Sequence, residues 1–274
     1  MGELTGKVAL VTGASRGVGK GVALALAQQG AVVYFTGRTL NEGEASVDLP
    51  GSLMRTQQDI EALGGTGFFH QCDHTDDDQT RAVIQRIEQE QGRLDILVNN
   101  AWGGYEHYWD GTRFWEEQGF WTAPLSRWDR MFDAGVRVQY VTTSLAIPLM
   151  LKTQAGLIAN ISFIASHKVD MGVAYGAAKA ASDHMTRCMA HELKPHGLSV
   201  VALHPGLVRT ESVIKSNFFD LSNSHSPEYV GMAVSALYRN PEKLNFSGKS
   251  LDVLQIALDH GYADIDGRQP LPGA

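Results

Sequence analysis

Cysteine is scarce in this chain. The two cysteines, Cys72 and Cys188, form no C-x-x-C pair and no metal-ligand spacing. They exclude a disulfide framework and a zinc ribbon, and they predict reduced thiols in a cytoplasmic protein. Long apolar runs are also missing. The most apolar stretch, Val138 to Leu151, is too short to span a bilayer and carries Gln139, Thr142, Thr143, Ser144 and Pro148. It predicts a buried or interface helix and no membrane partner. The N-terminus, Met1 to Lys7, lacks the apolar core of a secretory leader. Basic residues are outnumbered, with Lys plus Arg at 23 against Asp plus Glu at 30, for a formal net charge of -7. No Lys/Arg run is long enough to make a nucleic-acid patch. Repeats and interdomain linkers are absent too, which predicts one domain across 1–274.

What the chain has in quantity is glycine, 29 of 274 residues, within a composition that is 43% hydrophobic. That balance fits a globular enzyme with many tight loops. Short apolar runs alternate with amphipathic stretches. Strands are predicted at Val8–Val11, Ala31–Phe35, Gly67–Cys72, Leu94–Val98, Gly156–Ile161, Leu198–Leu203 and Gly248–Val253. Helices are predicted at Gly17–Gln29, from a Thr75 cap to Gln91, at Trp128–Leu151 and at Ala174–His196. The alternation predicts an α/β fold, a Rossmann-type doubly wound parallel sheet of about seven strands with helices on both faces. Two connections are long. Asn41 to Arg55 follows the second strand, and an insertion at about 102–127 follows the fourth. The second is dense in rings: Trp102, Tyr105, Tyr108, Trp109, Phe114, Trp115, Phe120 and Trp121. Long loops at strand C-termini usually carry function in such sheets, so this one is predicted to cover a substrate. A small satellite core of packed rings is a compatible reading.

The first strand runs into Thr12-Gly13-Ala14-Ser15-Arg16-Gly17-Val18-Gly19 and then a helix. Glycines there permit a tight turn and let backbone N–H groups approach a pyrophosphate at the helix N-terminus. The position at the first strand-to-helix junction gives the motif its force. It predicts that Gly13, Ser15, Arg16, Gly17, Val18 and Gly19 hold a dinucleotide. The second strand ends Phe35-Thr36-Gly37-Arg38-Thr39, without the carboxylate that would bind a ribose 2′-hydroxyl. Arg38 offers a guanidinium fork suited to a 2′-phosphate, and Arg16 could add a second clamp. NADP(H) is therefore predicted over NAD(H).

Tyr175 and Lys179 lie four apart in a helical stretch, hence on one face. An ammonium about 4 Å from a phenol is worth up to ~4 kcal/mol at an effective dielectric near 20. That could lower the phenol pKa by as much as ~3 units before burial opposes it. Such a tyrosine can exchange a proton with a carbonyl or alcohol oxygen. The ten histidines are scattered. His70 and His74 share a four-residue spacing, but they sit among Asp73, Asp76, Asp77 and Asp78 with no metal-binding frame. A solvated loop is predicted there, and no metal.

The T-G-x-x-x-G-x-G spacing at 12–19, with Y-x-x-x-K at 175–179, resembles the short-chain dehydrogenase/reductase family. The likeness runs from Gly6 to about Asp252. Asp73 matches the family residue that contacts adenine. Asn99-Asn100-Ala101 matches the segment beneath the cofactor, with Trp102 in place of a glycine. Pro205 and Gly206, with Val208 and Thr210 following, match the segment that approaches the nicotinamide carboxamide. Ser162, thirteen residues before Tyr175, matches the family serine, with Ser166 as the fallback. The resemblance implies hydride transfer between a nicotinamide and a carbonyl carbon. Tyr175 would exchange the proton, Lys179 would hold the nicotinamide ribose and lower the phenol pKa, and Ser162 would polarise the carbonyl.

One position departs from the family. Trp128-Asp129 opens a segment that normally ends in an asparagine, and Gly135 stands there instead. That asparagine helps hold a water of the proton relay behind the lysine. The expectation is that the relay runs through backbone carbonyls and water in the space Gly135 leaves. Gly135, Asn100-Ala101-Trp102, Phe114-Trp115-Glu116 and Asp264 to Arg268 together resemble one subgroup of the family.

These readings predict NADP(H)-linked interconversion of a carbonyl and a secondary alcohol on a fairly apolar small molecule. Two other functions compete. A nucleotide-sensing or scaffold protein without turnover is favoured by Gly135. A 3-ketoacyl-carrier-protein reductase would want a basic surface for an acidic carrier, and the charge of -7 speaks against it. The two long helices resemble those that build family dimers, which implies a homodimer or homotetramer. Val138, Val141, Leu145, Met185 and Met189 are the candidates for burial there.

Overall fold

Seven short runs become parallel strands. They are β1 (Val8–Val11), β2 (Val32–Gly37), β3 (Thr66–Gln71), β4 (Ile96–Asn99), β5 (Leu157–Ile161), β6 (Ser199–His204) and β7 (Ser250–Asp252). In the computed structural model, which describes residues 2–105, 119–169 and 171–271, they form one sheet in the order β3-β2-β1-β4-β5-β6-β7. Every residue of β1, β4 and β6 is buried, so the central strands need cover on both faces. The cover comes from helices on two sides, each with its own apolar cluster. Val33, Phe35, Ile96, Val98 and Leu203 point to one side, and Leu10, Tyr34, Leu97, Ile158 and Val200 to the other. Strand order reverses between β1 and β4, which opens a crevice at their C-terminal ends.

Helix α1 (Gly17–Gln28) follows β1, α2 (Leu53–Ala62) precedes β3, and α3 (Asp77–Gln91) follows it. The cap of α3 is Asp76 and not Thr75. Asp76 Oδ1 accepts from the N–H groups of Asp78 and Gln79 at 3.0 and 3.2 Å. Thr75 instead donates its hydroxyl to Asp73. The long helix expected from Trp128 to Leu151 has three parts: α4 (Leu125–Met131), a π turn over Phe132–Arg137, and α5 (Val138–Met150). Further along come α6 (Val173–Leu193), α7 (Glu211–Ser216), α8 (Pro227–Arg239) and α9 (Val253–His260). Helices α2, α7, α8 and α9 add to the elements read from the sequence.

Helix α8 packs on α1 through reciprocal glycines. A Cβ on Gly21 would stand 2.3 Å from the Pro227 carbonyl carbon, and one on Gly231 would stand 2.5 Å from Ala25 Cβ. This close approach lets α8 support the helix whose N-terminus meets the crevice.

No described helix is long and apolar enough to cross a membrane. Within the aromatic insertion, Phe120 and Trp121 are exposed in a short 3-10 turn. Tyr108, Trp109, Phe114, Trp115 and Glu116 lie outside the described residues. Of the interface candidates, Val138 is buried within its own chain, where the π turn enters α5. Val141, Leu145, Met185 and Met189 are half-buried.

Candidate active site

The crevice between β1 and β4 is shaped by backbone. Gly13 has φ +69°, a conformation L side chains rarely adopt, and its missing side chain leaves room for Ala101, whose Cα would lie 2.8 Å from a Cβ. A Cβ on Gly19 would meet Asn100 Nδ2 at 2.3 Å and the Gly13 carbonyl at 2.4 Å. Asn100 Nδ2 donates to the carbonyls of Thr12 and Gly13, each at 2.9 Å. Thr12 Oγ1 accepts from the N–H groups of Asn100 and Ala101, each at 3.0 Å. The glycine turn is thus strapped to the end of β4. Ser15 is buried within it, and Val18 packs on the core.

Anion chemistry is already present at the mouth of α1. The Gly17 N–H donates to Glu211 Oε2 at 2.8 Å, so a carboxylate oxygen sits at the helix N-terminus. Thr210 caps α7 and lies over Gly17, with its Cγ2 3.5 Å from where a Cβ would be. Gly206 has φ +76°, Val208 bridges to His225, and the Pro205 carbonyl accepts from His225 Nε2. The structure therefore gathers 13–19, 100–101 and 205–210 around one cleft. The glycine contacts and the helix end fit a phosphate-bearing dinucleotide, with the Glu211 oxygen standing where a phosphate oxygen would take the Gly17 N–H and having to yield it.

Arg38 leaves the end of β2 with its guanidinium 4.0 Å from Asp73 Oδ2, so the two residues expected to touch the adenosine half face each other. Arg16 is more committed. Its guanidinium donates to the carbonyls of Pro50 and Gly51 at 3.0 and 2.7 Å and to Thr39 Oγ1 at 3.3 Å. A clamp role would require it to leave that loop. His74 is not in a solvated loop. It is 5% exposed, Thr36 and Thr80 hydroxyls engage its two ring nitrogens at 2.7 and 3.1 Å, and burial lowers its pKa to about 4. It is a core histidine.

On the β5 side, side chains shape the site. Tyr175, Lys179 and Asp183 recur every four residues on the inner face of α6, and all are buried. Ser162, at the end of β5, is buried too, and its hydroxyl donates to the Lys179 carbonyl at 3.5 Å. Lys179 Nζ donates to the Ile161 carbonyl at 3.4 Å. It lies 5.6 Å from the Tyr175 ring centre and only 3.7 Å from that of Trp102. Tyr175 Oη meets Tyr105 Oη at 2.9 Å. The three sequence candidates are therefore brought together.

The phenol pKa moves opposite to expectation. Burial and the facing Tyr105 hold it well above its ordinary value. Burial also pulls the Lys179 ammonium down to about 7, against the opposing charge of Asp183. Desolvation, and not the charge of Lys179, sets the direction of the Tyr175 shift.

The space left by Gly135 is not open to a relay water. The Trp102 ring fills it, and a Cβ on Gly135 would stand 2.4 Å from Cζ3 of that ring.

Asp183 is a site residue that the sequence reading passed over. Burial alone would raise its pKa, but hydrogen bonds, first from His204 and then from Ser166 and Ser250, lower it to about 2. Ser166, the fallback for Ser162, donates to Asp183 Oδ2 at 2.7 Å, and Ser250 does so at 2.8 Å. Asp183, His167 and His204 are the one group among the described residues with metal-ligand atoms within 4.8 Å of one another. Serine hydroxyls and His204 engage Asp183 Oδ2, while its buried Oδ1 has no hydrogen-bond partner among the described residues. The signal for Asp183 was available, because it stands four residues beyond Lys179.

A family model described as short chain dehydrogenase matches residues 7–218. Dehydrogenase/reductase SDR family member 1 of Mus musculus is 38% identical over 280 residues, which is 97% of this chain and 85% of that relative. A solved 7α-hydroxysteroid dehydrogenase, complexed with NADH and 7-oxo glycochenodeoxycholic acid, is 26% identical with a TM-score of 0.74. It covers 98% of this chain and 96% of its own. A metagenomic short-chain oxidoreductase in complex with NADP is 27% identical with a TM-score of 0.70, covering 91% of this chain and 97% of its own. The chain belongs to the short-chain dehydrogenase/reductase family of oxidoreductases, in the subgroup similar to dehydrogenase/reductase SDR family member 1.

Proposed function

We propose that the protein interconverts a carbonyl and a secondary alcohol on a fairly apolar small molecule, using NADP(H). The observation that carries this reading is the buried meeting of Ser162, Tyr175 and Lys179 beside the cleft. When bound, the nicotinamide supplies or takes the hydride. Gly13, Ser15, Gly17, Val18 and Gly19 would hold its pyrophosphate, with Asn100 and Ala101 beneath and Pro205, Gly206, Val208 and Thr210 across the cleft. Arg38 at the end of β2, where no carboxylate stands, supports NADP(H) over NAD(H).

Tyr175 holds the proton that passes to the substrate oxygen in reduction and takes it back in oxidation. Its raised pKa keeps the phenol protonated at neutral pH, which suits reduction. Ser162 donates a hydrogen bond to the same oxygen, and Lys179 places its charge next to the phenol. Tyr105, already 2.9 Å from Tyr175 Oη, borders the place where that oxygen would sit. The rings of Trp102 and Phe163 beside Tyr175 support an apolar substrate.

Purified protein with NADPH and a panel of ketones, quinones and ketosteroids tests the reading. At least one substrate should oxidise NADPH, and Tyr175→Phe should lower that rate by about 100-fold or more, the scale of lost general acid catalysis. Tight NADPH binding with no turnover across the panel would instead support a nucleotide-sensing role, a reading favoured by the closed space at Gly135. A homodimer or homotetramer through α5 and α6 is the assembly we favour. Tyr140, exposed on α5, would be covered there together with half-buried Val141, Leu145, Met185 and Met189.

A further inference from the structure

Trp102 and Gly135 stand in direct contact beside the candidate catalytic pair. The π turn over Phe132–Arg137 brings Gly135 against the indole, where a Cβ would stand 2.4 Å from Cζ3 and 2.7 Å from Cε3. The backbone after Trp102 is held to the same turn. Gly103 N–H donates to the Ala134 carbonyl at 2.9 Å, and a Cβ on Gly103 would stand 2.5 Å from Ala134 Cβ. Tyr175 meets the indole edge-on, with ring centres 5.8 Å apart and planes at 90°. The ring is therefore fixed from its edge and from its backbone. Its face carries Lys179 Nζ, 3.7 Å from the centre. Indole is the best aromatic face for a cation, and the contact strengthens when water is excluded. Among the described residues, the other polar contact of this buried ammonium is the Ile161 carbonyl at 3.4 Å.

We propose that Trp102 is the positioning residue for Lys179: its indole face seats the ammonium beside Tyr175, and Gly135 supplies the gap that admits the ring. The two residues act as one unit. A side chain at 135 would displace the ring and, with it, the ammonium. A seat of this kind holds the charge by a π face where a polar side chain and water could otherwise do so. Its kinetic consequences rest on the proposed reaction, but the seat itself can be read without turnover.

The first measurement uses emission alone. Trp102 emission, isolated as the difference between the wild-type chain and Trp102→Phe, should change in one step as Lys179 loses its proton near pH 7. Lys179→Met should abolish that step, and Tyr105→Phe should leave it in place. Among the described residues, Tyr105, Tyr175 and Asp183, with His167 and His204 on the Asp183 carboxylate, are the other titratable groups around the pair. Of these, Tyr175 titrates well above its ordinary value and Asp183 at about 2, both outside the window. A step that survives in Lys179→Met, or no step in the wild-type chain, overturns the proposal even if the protein turns over ketones.

The second measurement is a cycle on turnover and cofactor binding. Trp102→Leu should lower kcat roughly 3- to 30-fold, the range of a desolvated cation–π contact, while the cofactor Kd changes by less than about threefold. Gly135→Ala should give a similar loss, and the double variant should be no worse than Trp102→Leu, because both changes remove one contact. Additive losses, or an unchanged kcat in Trp102→Leu, would mean that the ring does not position Lys179.

Discussion

The two sides of the cleft are built differently. On the β1–β4 side the backbone makes the site, and side chains such as Asn100 strap it in place. On the β5–β6 side the side chains make the site, and the backbone only carries them on α6. A backbone site leaves little freedom, because Gly13 and Gly19 have carbonyls and main-chain carbons where a Cβ would go. A side-chain site can be rebuilt when two residues change together, as at Trp102 and Gly135.

The largest expected effect tests the rigid side. Gly19→Ala places a methyl 2.3 Å from Asn100 Nδ2 and 2.4 Å from the Gly13 carbonyl. The side chain could turn away, but the carbonyl belongs to the turn itself. Overpacking of this kind costs about 1–3 kcal/mol. NADPH affinity should fall roughly 10- to 100-fold, read by cofactor fluorescence, with circular dichroism checking that the fold survives. If Gly19→Ala binds NADPH like the wild-type chain, the backbone does not define the cradle and the comparison collapses.

The same contrast explains what was legible in the sequence. Glycine spacing at 12–19 located the cradle because only glycine satisfies those contacts. Period and apolar runs placed all seven strands, most firmly the fully buried β1, β4 and β6, while β3 and β7 at the sheet edges are only partly buried. The π turn was not legible, because Phe132 to Arg137 has an unremarkable helical composition and the turn is fixed by tertiary contacts of Ala134 and Gly135 with 102–104. Helix α8 escaped because Pro227 and Gly231 look like breakers, although Pro227 is tolerated in a first turn behind the Ser226 cap, and Gly231 is a packing contact with α1. The direction of the Tyr175 shift was misjudged for a related reason. Spacing reveals that a charge is near, but burial, which set the sign, depends on residues far apart in the chain, such as Trp102, Tyr105 and Phe163.

Arg38 sharpens the comparison, since it is a side-chain feature on the backbone side. Its guanidinium is about half exposed and 4.0 Å from Asp73, an ion pair too open to be worth much. Arg38→Asp should lower the NADPH/NADH preference by roughly tenfold or more, the scale of one or two charge-assisted hydrogen bonds. Competition between the two cofactors in a binding assay reads this directly. An unchanged ratio would assign 2′-phosphate recognition elsewhere and leave Arg38 as a partner of Asp73.

The smallest effect concerns the β5 side. Burial is the first cause of the raised Tyr175 pKa, and Tyr105 is the second, by charge and by hydrogen bond. Tyr105→Phe removes the second cause and keeps the first, so the phenol pKa should fall without reaching its ordinary value. Reduction needs the protonated phenol, and its kcat/KM is lost as pH rises through that pKa. Its alkaline limb should therefore move to lower pH in Tyr105→Phe. Oxidation needs the phenolate, so its acidic limb should move to lower pH as well. One neutral hydrogen bond is worth about 1 kcal/mol, which limits the shift to under about one pH unit. Both limbs must move in the same direction, because one group sets both. If the limbs move apart or upward, Tyr105 does not face the phenol during turnover, and the side-chain half of the cleft rearranges when substrate binds.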